Sequence, residues 1–510
     1  MAIIGKFFKK SAAIAHKLNA KKTKEYKNQT FTLCALLEYA KNTNFGLAHS
    51  FNAILKSTDI VSQFQTIVSI TNYEEFYNNW LSDSIRGKKN HTWKGKINYF
   101  ALSSGTTGSP SKRIPITSEM IRSFQKTSMN QLTMLHELNL PESFFSSSML
   151  AVGGSTDLIK KEKHIEGDLS GILKKHTSIL ALPFTKPGKR ISSIKDWDSK
   201  IKEIINKAPK WDIGIIAGIP SWCILLLEKI VEHYQINSIH DIWPNLSVYV
   251  HGGVFMEPYN ERLKKLTKNN IILMDTYLAS EGYFAYQTNP NRRGMKLLLD
   301  KGIFYEFIPF NSDYFDQNGE LLDRSNAFTI NEIKKNIDYA LVITTNAGLW
   351  RYLIGDLIRF VSIVGREIII TGRIKQFLSL CGEHLSLENI HQALLGTSKD
   401  LKISILEFTI YADTEKQRHH WFLGIDEEID QNLLNTKLDF NLCNLNDDYA
   451  YVRKYNLNSP KITILKTSKF HQFLAYQGKS GAQNKMPRGL NKKQQDAWLF
   501  FLTNNGNIAT

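Results

Sequence analysis

Apolar residues recur with helical spacing over roughly the first 95 positions and then fall into strand-length runs. At the start, Ile3, Ile4, Phe7, Phe8, Ile14 and Leu18 lie near one face among Lys6, Lys9 and Lys10. They predict an amphipathic helix docked on the body of the protein, with a membrane surface as the other partner such a helix suits. A strand is expected at 97–102, running into the polar segment 103–112. Thr117 then reads as an N-cap with Glu119 in the first turn, and Ile121, Phe124, Leu132, Leu135 and Leu138 give the following helix an apolar face. Further runs at 213–218, 247–253, 271–277, 303–308 and 339–345 each end in glycine, polar or turn residues. Strands alternating with helical stretches predict an α/β fold whose functional loops sit at strand ends.

The chain has 510 residues, whereas single cores stop growing at roughly 250–300. Ile368-Ile369-Ile370 reads as a strand and Thr371-Gly372-Arg373 as a turn, which places a boundary near 372–376. The expected organisation is a large domain over 1–372 and a small α+β domain over 373–510. No internal repeat or low-complexity linker interrupts it.

Composition narrows the function only a little. Hydrophobic residues make up 42% and charged residues 22%, as in ordinary globular chains. A net charge of +16 favours acidic partners such as nucleic acid, anionic membranes or small anions. Nucleic-acid binding is therefore the reading from another class, but no ribonucleoprotein motif, zinc finger or basic zipper accompanies the charge, so no specific nucleic acid is expected. Cys34, Cys223, Cys381 and Cys443 contain no C-x-x-C pair, and free thiols in a reducing cytoplasm are the simplest reading. No run of about 18 apolar residues predicts a transmembrane helix, and the N-terminus lacks a clean signal-peptide core. There is no G-x-S-x-G of a serine hydrolase. Glu383, His384, Glu388 and His391 cluster, yet without H-E-x-x-H they read as a helix surface rather than a metal site.

The segment Ser103-Ser104-Gly105-Thr106-Thr107-Gly108-Ser109-Pro110-Ser111-Lys112 carries the most chemistry. Glycines let backbone N–H groups approach a phosphate, hydroxyls add donors and lysine adds charge. It is not a Walker A loop, because the second required glycine would fall at Pro110. On composition alone a flexible polar turn accounts for it equally well.

Ser103 to Gly108, followed by Lys112 and Pro115, resembles the first ATP motif of adenylate-forming enzymes, and more narrowly that of the Gretchen Hagen family of acyl acid amido synthetases. Tyr277-Leu278-Ala279-Ser280-Glu281-Gly282 resembles the second motif, Trp350 to Asp356 the third, Gly372 to Phe377 the hinge, and Gln483 to Arg488 the C-terminal lysine segment. Together, and in the right order, these segments carry the resemblance where no single one does. It implies the adenylate-forming enzyme fold: a large N-terminal domain with mixed β-sheets flanked by helices, plus a smaller mobile C-terminal α+β domain. It also implies ATP and Mg²⁺, and a small carboxylic acid activated as acyl-adenylate. The acyl group then passes to an amino acid amine or, as in other superfamily branches, to a thiol. Ser103, Ser104, Gly105, Thr106, Thr107 and Lys112 would hold the phosphates, Tyr277 would pack on adenine, Asp356 and Arg373 would hold the ribose, Ser280 would be a further ATP-binding residue, and Glu281 would hold the Mg²⁺. Lys375 would be the hinge residue, and Lys485 would reach the α-phosphate. Three positions depart from the plant pattern: Ala279 for serine, Trp350 for tyrosine and Leu353 for arginine.

Overall fold

The computed structural model describes all residues except 1–5, 7–8, 15–28, 104–111, 180, 317–318, 375–384, 386, 414, 456, 479–484, 491 and 505–510. Of the expected N-terminal amphipathic helix, residues 6 and 9–14 are described and helical, while the rest of it, most of the polar segment and the hinge residue Lys375 lie outside the described residues. The contacts divide the chain into two compact units, with the main division between Ile370 and Thr371.

The larger unit holds an eleven-stranded mixed sheet and a four-stranded one. In the large sheet, Ser148–Ala151, Ile213–Gly218, Val248–Gly252 and Ile272–Ala279 run parallel as neighbours. The helix Pro220–Tyr234, opened by Pro220 in its first turn, connects two of them. The sheet then turns antiparallel through Gly282–Tyr286, Met295–Leu297, Glu367–Arg373, Tyr352–Ser362, Asp338–Thr345 and Ile303–Pro309. Ile303–Pro309 and Asp338–Thr345 are buried along nearly their whole length, which is why both read as unbroken apolar runs.

The small sheet begins with the hairpin of Tyr99–Ser103 and Lys112–Ile116, in which Ser103 pairs with Lys112. Thr117 then caps the helix Ser118–Met134, accepting from the Met120 amide at 3.1 Å, and its hydroxyl donates to the Asn346 carbonyl at 2.7 Å.

The smaller unit is a three-stranded sheet between two helical layers. Glu407–Asp413 pairs antiparallel with Arg418–Gly424, which pairs parallel with Lys461–Leu465. Alternation sends Trp421 and Leu423 to one face, against Leu434, Leu438 and Leu442, and Phe422 to the other, against Phe470, Phe473 and Trp498. The segment Phe255–Glu261 also belongs to this unit. The Tyr259 hydroxyl bonds Leu406 O at 3.2 Å and Glu407 Oε1 at 3.1 Å, and the Phe255 ring lies 4.0 Å from that of His391.

One sequence expectation fails. Thr371-Gly372-Arg373 is no turn but the end of the strand Glu367–Arg373. Thr371 is 1% exposed, and its β-branched side chain suits a buried strand.

Candidate functional site

The second motif forms a tight hairpin. Ala279 pairs with Gly282, so Ser280 and Glu281 are the entire loop between two strands. Gly282 is required sterically: a Cβ there would meet Ile303 Cδ1 and the Phe284 ring at 2.7 Å. Ser280 is half-buried and Glu281 is buried, so the turn presents a carboxylate largely withdrawn from water. Tyr277 is 4% exposed. Opposite it, a register shift between Tyr283 and Ala285 leaves Phe284 extra, and the Phe284 ring meets that of Tyr277 at 4.8 Å and 60°.

The third motif carries a second bulge. Leu353 pairs with Val342 and Leu357 with Ala340, which leaves more residues on one strand than on its partner. Gly355 stands inside the bulge at φ +89° with nothing within 4 Å of its missing Cβ, so backbone conformation rather than space calls for glycine. The next residue is Asp356, whose Oδ2 accepts a 2.6 Å hydrogen bond from the Tyr277 hydroxyl.

The strands bearing Tyr277 and Asp356 are four spacings apart in sheet order, which in a flat sheet would be about 19 Å at ~4.8 Å each. A 2.6 Å contact therefore requires the sheet to coil, and the two bulges add local twist where it is needed.

A buried ion pair anchors the base of the third motif. Arg351 and Glu306 are both fully buried and meet at 2.9 Å. Arg351 also donates to the carbonyls of Gln65 at 2.8 Å, Val68 at 2.7 Å and Ser325 at 2.9 Å. Gln65 Nε2 completes the shell of Glu306 at 2.9 Å. Trp350 has a use for its nitrogen that tyrosine would not reproduce: Nε1 donates to Thr92 O at 3.0 Å while the indole stacks on Phe45 at 5.6 Å.

At the foot of the polar segment the Lys112 ammonium stands 5.2 Å from the Tyr73 ring centre. The Tyr73 hydroxyl accepts from the Arg113 amide at 2.8 Å. Burial pushes this hydroxyl above its usual pKa, the Arg113 bond opposes the push, and the Glu281 carboxylate adds a smaller upward one.

Tyr277, Glu281, Asp356, Ser103 and Lys112 thus belong to the larger unit, while Ser104, Gly105, Thr106 and Thr107 lie outside the described residues. Arg373 and Lys485 belong to the smaller unit. Arg373 ends its strand half-buried, and Lys485 is exposed. Just after Lys485, Ile410 N donates to Arg488 O at 2.9 Å and Leu490 N to Ile410 O at 2.7 Å. Arg488 also bonds Glu407 at 2.6 Å and stacks 4.5 Å over Phe408.

Among the described residues no three His, Cys, Asp or Glu side chains gather as a metal cage. The single buried carboxylate of Glu281 is a hard oxygen donor of the kind Mg²⁺ takes singly, with substrate phosphates completing its shell, so the residue fits that ion. His391 is buried between the Phe255 and Phe408 rings.

With this geometry in place, the chain's relatives can be compared. The GH3 family N-terminal domain matches residues 14–157 and 136–272, the central domain 296–367 and the C-terminal domain 388–494. The chain belongs to the GH3 family. A jasmonoyl–L-amino acid synthetase of Nicotiana attenuata is 27% identical over 290 residues, 52% of this chain and 48% of that one. An indole-3-acetic acid-amido synthetase of Arabidopsis thaliana is 26% identical over 196 residues, 36% of this chain and 35% of its own. The match thus spans half or less of either relative. A probable indole-3-acetic acid-amido synthetase of Oryza sativa subsp. japonica is 22% identical over 441 residues, covering 72% and 70%. Among solved structures, the GH3.15 acyl acid amido synthetase superposes with a TM-score of 0.78 at 16% identity, covering 97% of this chain and 96% of that one. A 2-hydroxyisobutyryl-CoA ligase superposes at 0.61 and 12% identity, covering 95% and 92%. These likenesses make the fold of this GH3 chain that of adenylate-forming enzymes.

Sequence reading did not single out Tyr73 or Arg351. Tyr73 carries no motif. Arg351 sits within one, but its partner Glu306 lies 45 positions away in another strand.

Proposed function

We propose that this GH3 chain activates a small carboxylic acid with ATP as an acyl-adenylate and passes the acyl group to an amino acid amine. The observation that carries the reading is the Tyr277–Asp356 hydrogen bond at 2.6 Å, which joins the second and third motifs into one site beside the Glu281 turn. Membership of the GH3 family supports it.

Ser103, Ser104, Gly105, Thr106, Thr107 and Lys112 hold the triphosphate through hydroxyls, amides and one ammonium. Tyr277 packs against adenine, and Ser280 is a further ATP-binding residue. Asp356 accepts from the ribose hydroxyls, and Arg373 assists at the ribose. Glu281 holds Mg²⁺, which when bound supplies charge neutralisation at the phosphates. The acid's carboxylate oxygen attacks the α-phosphorus, the bond to the β-phosphate breaks, and pyrophosphate leaves. Lys485 stabilises the charge that develops there. The amine then attacks the acyl carbon, the bond to AMP breaks and the amine loses a proton. The large domain 1–372 binds both substrates, and the small domain 373–510 turns about Lys375 between the two steps. A reducing cytoplasm suits the three free cysteines among the described residues, Cys34, Cys223 and Cys443. No helix among the described residues is long and apolar enough to cross a membrane.

The test is acid-dependent exchange of labelled pyrophosphate into ATP across aryl, indole and aliphatic acids, followed by conjugation assays with amino acids and with thiols. Exchange with one acid class and amide formation are expected. Absence of exchange with every acid, despite ATP binding, would sink the reading; thioester formation alone would transfer it to the thiol branch.

A further inference from the structure

Asp168, Lys174 and Lys200 form a charged group that the adenylate chemistry leaves unused. Lys200 and Asp168 lie at the carboxyl end of the strand Ser148–Ala151, beside Gly153 and Gly154, and Lys174 bonds the carbonyl of Lys186, which pairs with Leu150 of that strand. This is the side of a parallel sheet on which ligands bind.

Lys200, on the helix Trp197–Lys207, is 4% exposed, and its ammonium makes one long bond of 3.4 Å to the Gly153 carbonyl. Lys174, on Leu169–Lys175, is half-buried and makes one bond of 3.2 Å to the Lys186 carbonyl. Each ammonium carries three donors, so most of them remain unspent. Neither lies in an ion pair within 4.0 Å among the described residues. Asp168 is half-buried and makes no capping bond to its helix. Its carboxylate lies over Gly154, where a Cβ would meet Oδ2 at 2.1 Å.

The three charges act on one another. Burial raises the Asp168 carboxyl, and the Lys200 charge draws it back. Burial, and then Lys200, bring Lys174 down to about 7.

Buried charges are ordinarily paired and fully hydrogen-bonded, whereas these two lysines make one backbone bond each and no ion pair within 4.0 Å among the described residues. Two cations and one anion complement a carboxylate carried on the same small molecule as an ammonium. We propose that Lys174, Lys200 and Asp168 bind the acceptor as a free α-amino acid, the lysines taking its carboxylate and Asp168 its ammonium. This rests on the amino acid acceptor proposed above and names the residues that select it.

The experiment is saturation-transfer NMR of the full chain with each common amino acid, with and without a non-hydrolysable acyl-sulfamoyl adenosine. Wild type is compared with Lys174→Met, Lys200→Met and Asp168→Asn, and thermal melts verify folding. Lys174→Met serves if the more buried Lys200→Met does not fold. Amino acid binding in the wild type and at least a tenfold weakening in the folded variants are expected. Amino acid binding equal to wild type in those variants overturns the proposal, as does binding of no amino acid by the wild type under either condition. Weakened binding of the acyl acid instead of the amino acid also overturns it, assigning the cluster to the acid pocket. These readouts need no turnover, so they stand apart from failed pyrophosphate exchange, which would count against the adenylation reading.

Discussion

Asp356 and Lys485 illustrate how differently two side chains of one proposed reaction are held. Asp356 is fixed by the Tyr277 hydroxyl and by the bulge beneath it. Asp356→Ala removes a charged acceptor worth roughly 1.5–3 kcal/mol, so the ATP Michaelis constant in the exchange assay should rise about tenfold or more. A wild-type ATP response would remove Asp356 from the ribose site. Lys485 is exposed and outside the core. Lys485→Ala should therefore depress exchange while the melting temperature stays within about 1 °C, as expected of a surface substitution; full exchange in the variant would retire its role. The proposed role of each residue rests on its motif. The hydrogen bond from Tyr277 was not legible in the sequence, because no rule of spacing tells which of two motifs, 79 positions apart, will touch.

At the scale of the element, most central strands could be read from their apolar runs, and the Thr117 cap from its position before a periodic stretch. The bulges could not, since they arise from pairing between strands. Gly355→Ala tests the second one. Forcing a Cβ into φ +89° should cost about 1–2 kcal/mol of stability. It should also raise the ATP Michaelis constant by turning Asp356 away. Gly95 offers a control at φ +84°, again with nothing within 4 Å; Gly95→Ala should lower the melting temperature comparably without the ATP effect. Equal ATP responses in the two variants would refute a special role for the bulge. The Arg351–Glu306 pair makes a second prediction. Arg351→Met strands a buried carboxylate and should cost about 3–5 kcal/mol, much of it recovered when Glu306→Met is added. Chemical denaturation of single and double variants decides this, and a double variant no more stable than the single would contradict it.

Across the whole molecule, buried histidines set the response to acid. Burial holds His251 down to about 4 and His420 down to about 3, and it lowers His391 as well. An unfolded histidine titrates near 6.5. Between that value and the lower folded one the unfolded chain binds more protons, so stability rises with pH across the window and falls as pH drops through it. At pH 5 each such residue costs about 2 kcal/mol relative to pH 7.5. The melting temperature should fall steadily from pH 7 to 5, and a flat profile would contradict the buried neutral assignment. The main division of the chain falls between Ile370 and Thr371, inside a strand where a turn was expected. That Phe255–Glu261 belongs with the smaller unit was not legible in the sequence, because its anchors on Glu407 and His391 are remote in the chain.

The backbone bonds joining Ile410 to Arg488 and Leu490 leave Lys485 a very short leash. Its ammonium is a tool bolted to a handle rather than tied on a cord: it can sweep only the arc its own side chain allows. Any larger displacement belongs to the body of the smaller unit. In the proposed two-step cycle, the pace at which the lysine arrives and withdraws is therefore the pace at which that body turns. Loosening that attachment, as Arg488→Ala would by removing the side-chain bond to Glu407 and the stack on Phe408, would blur the timing of the cycle even with the lysine itself intact.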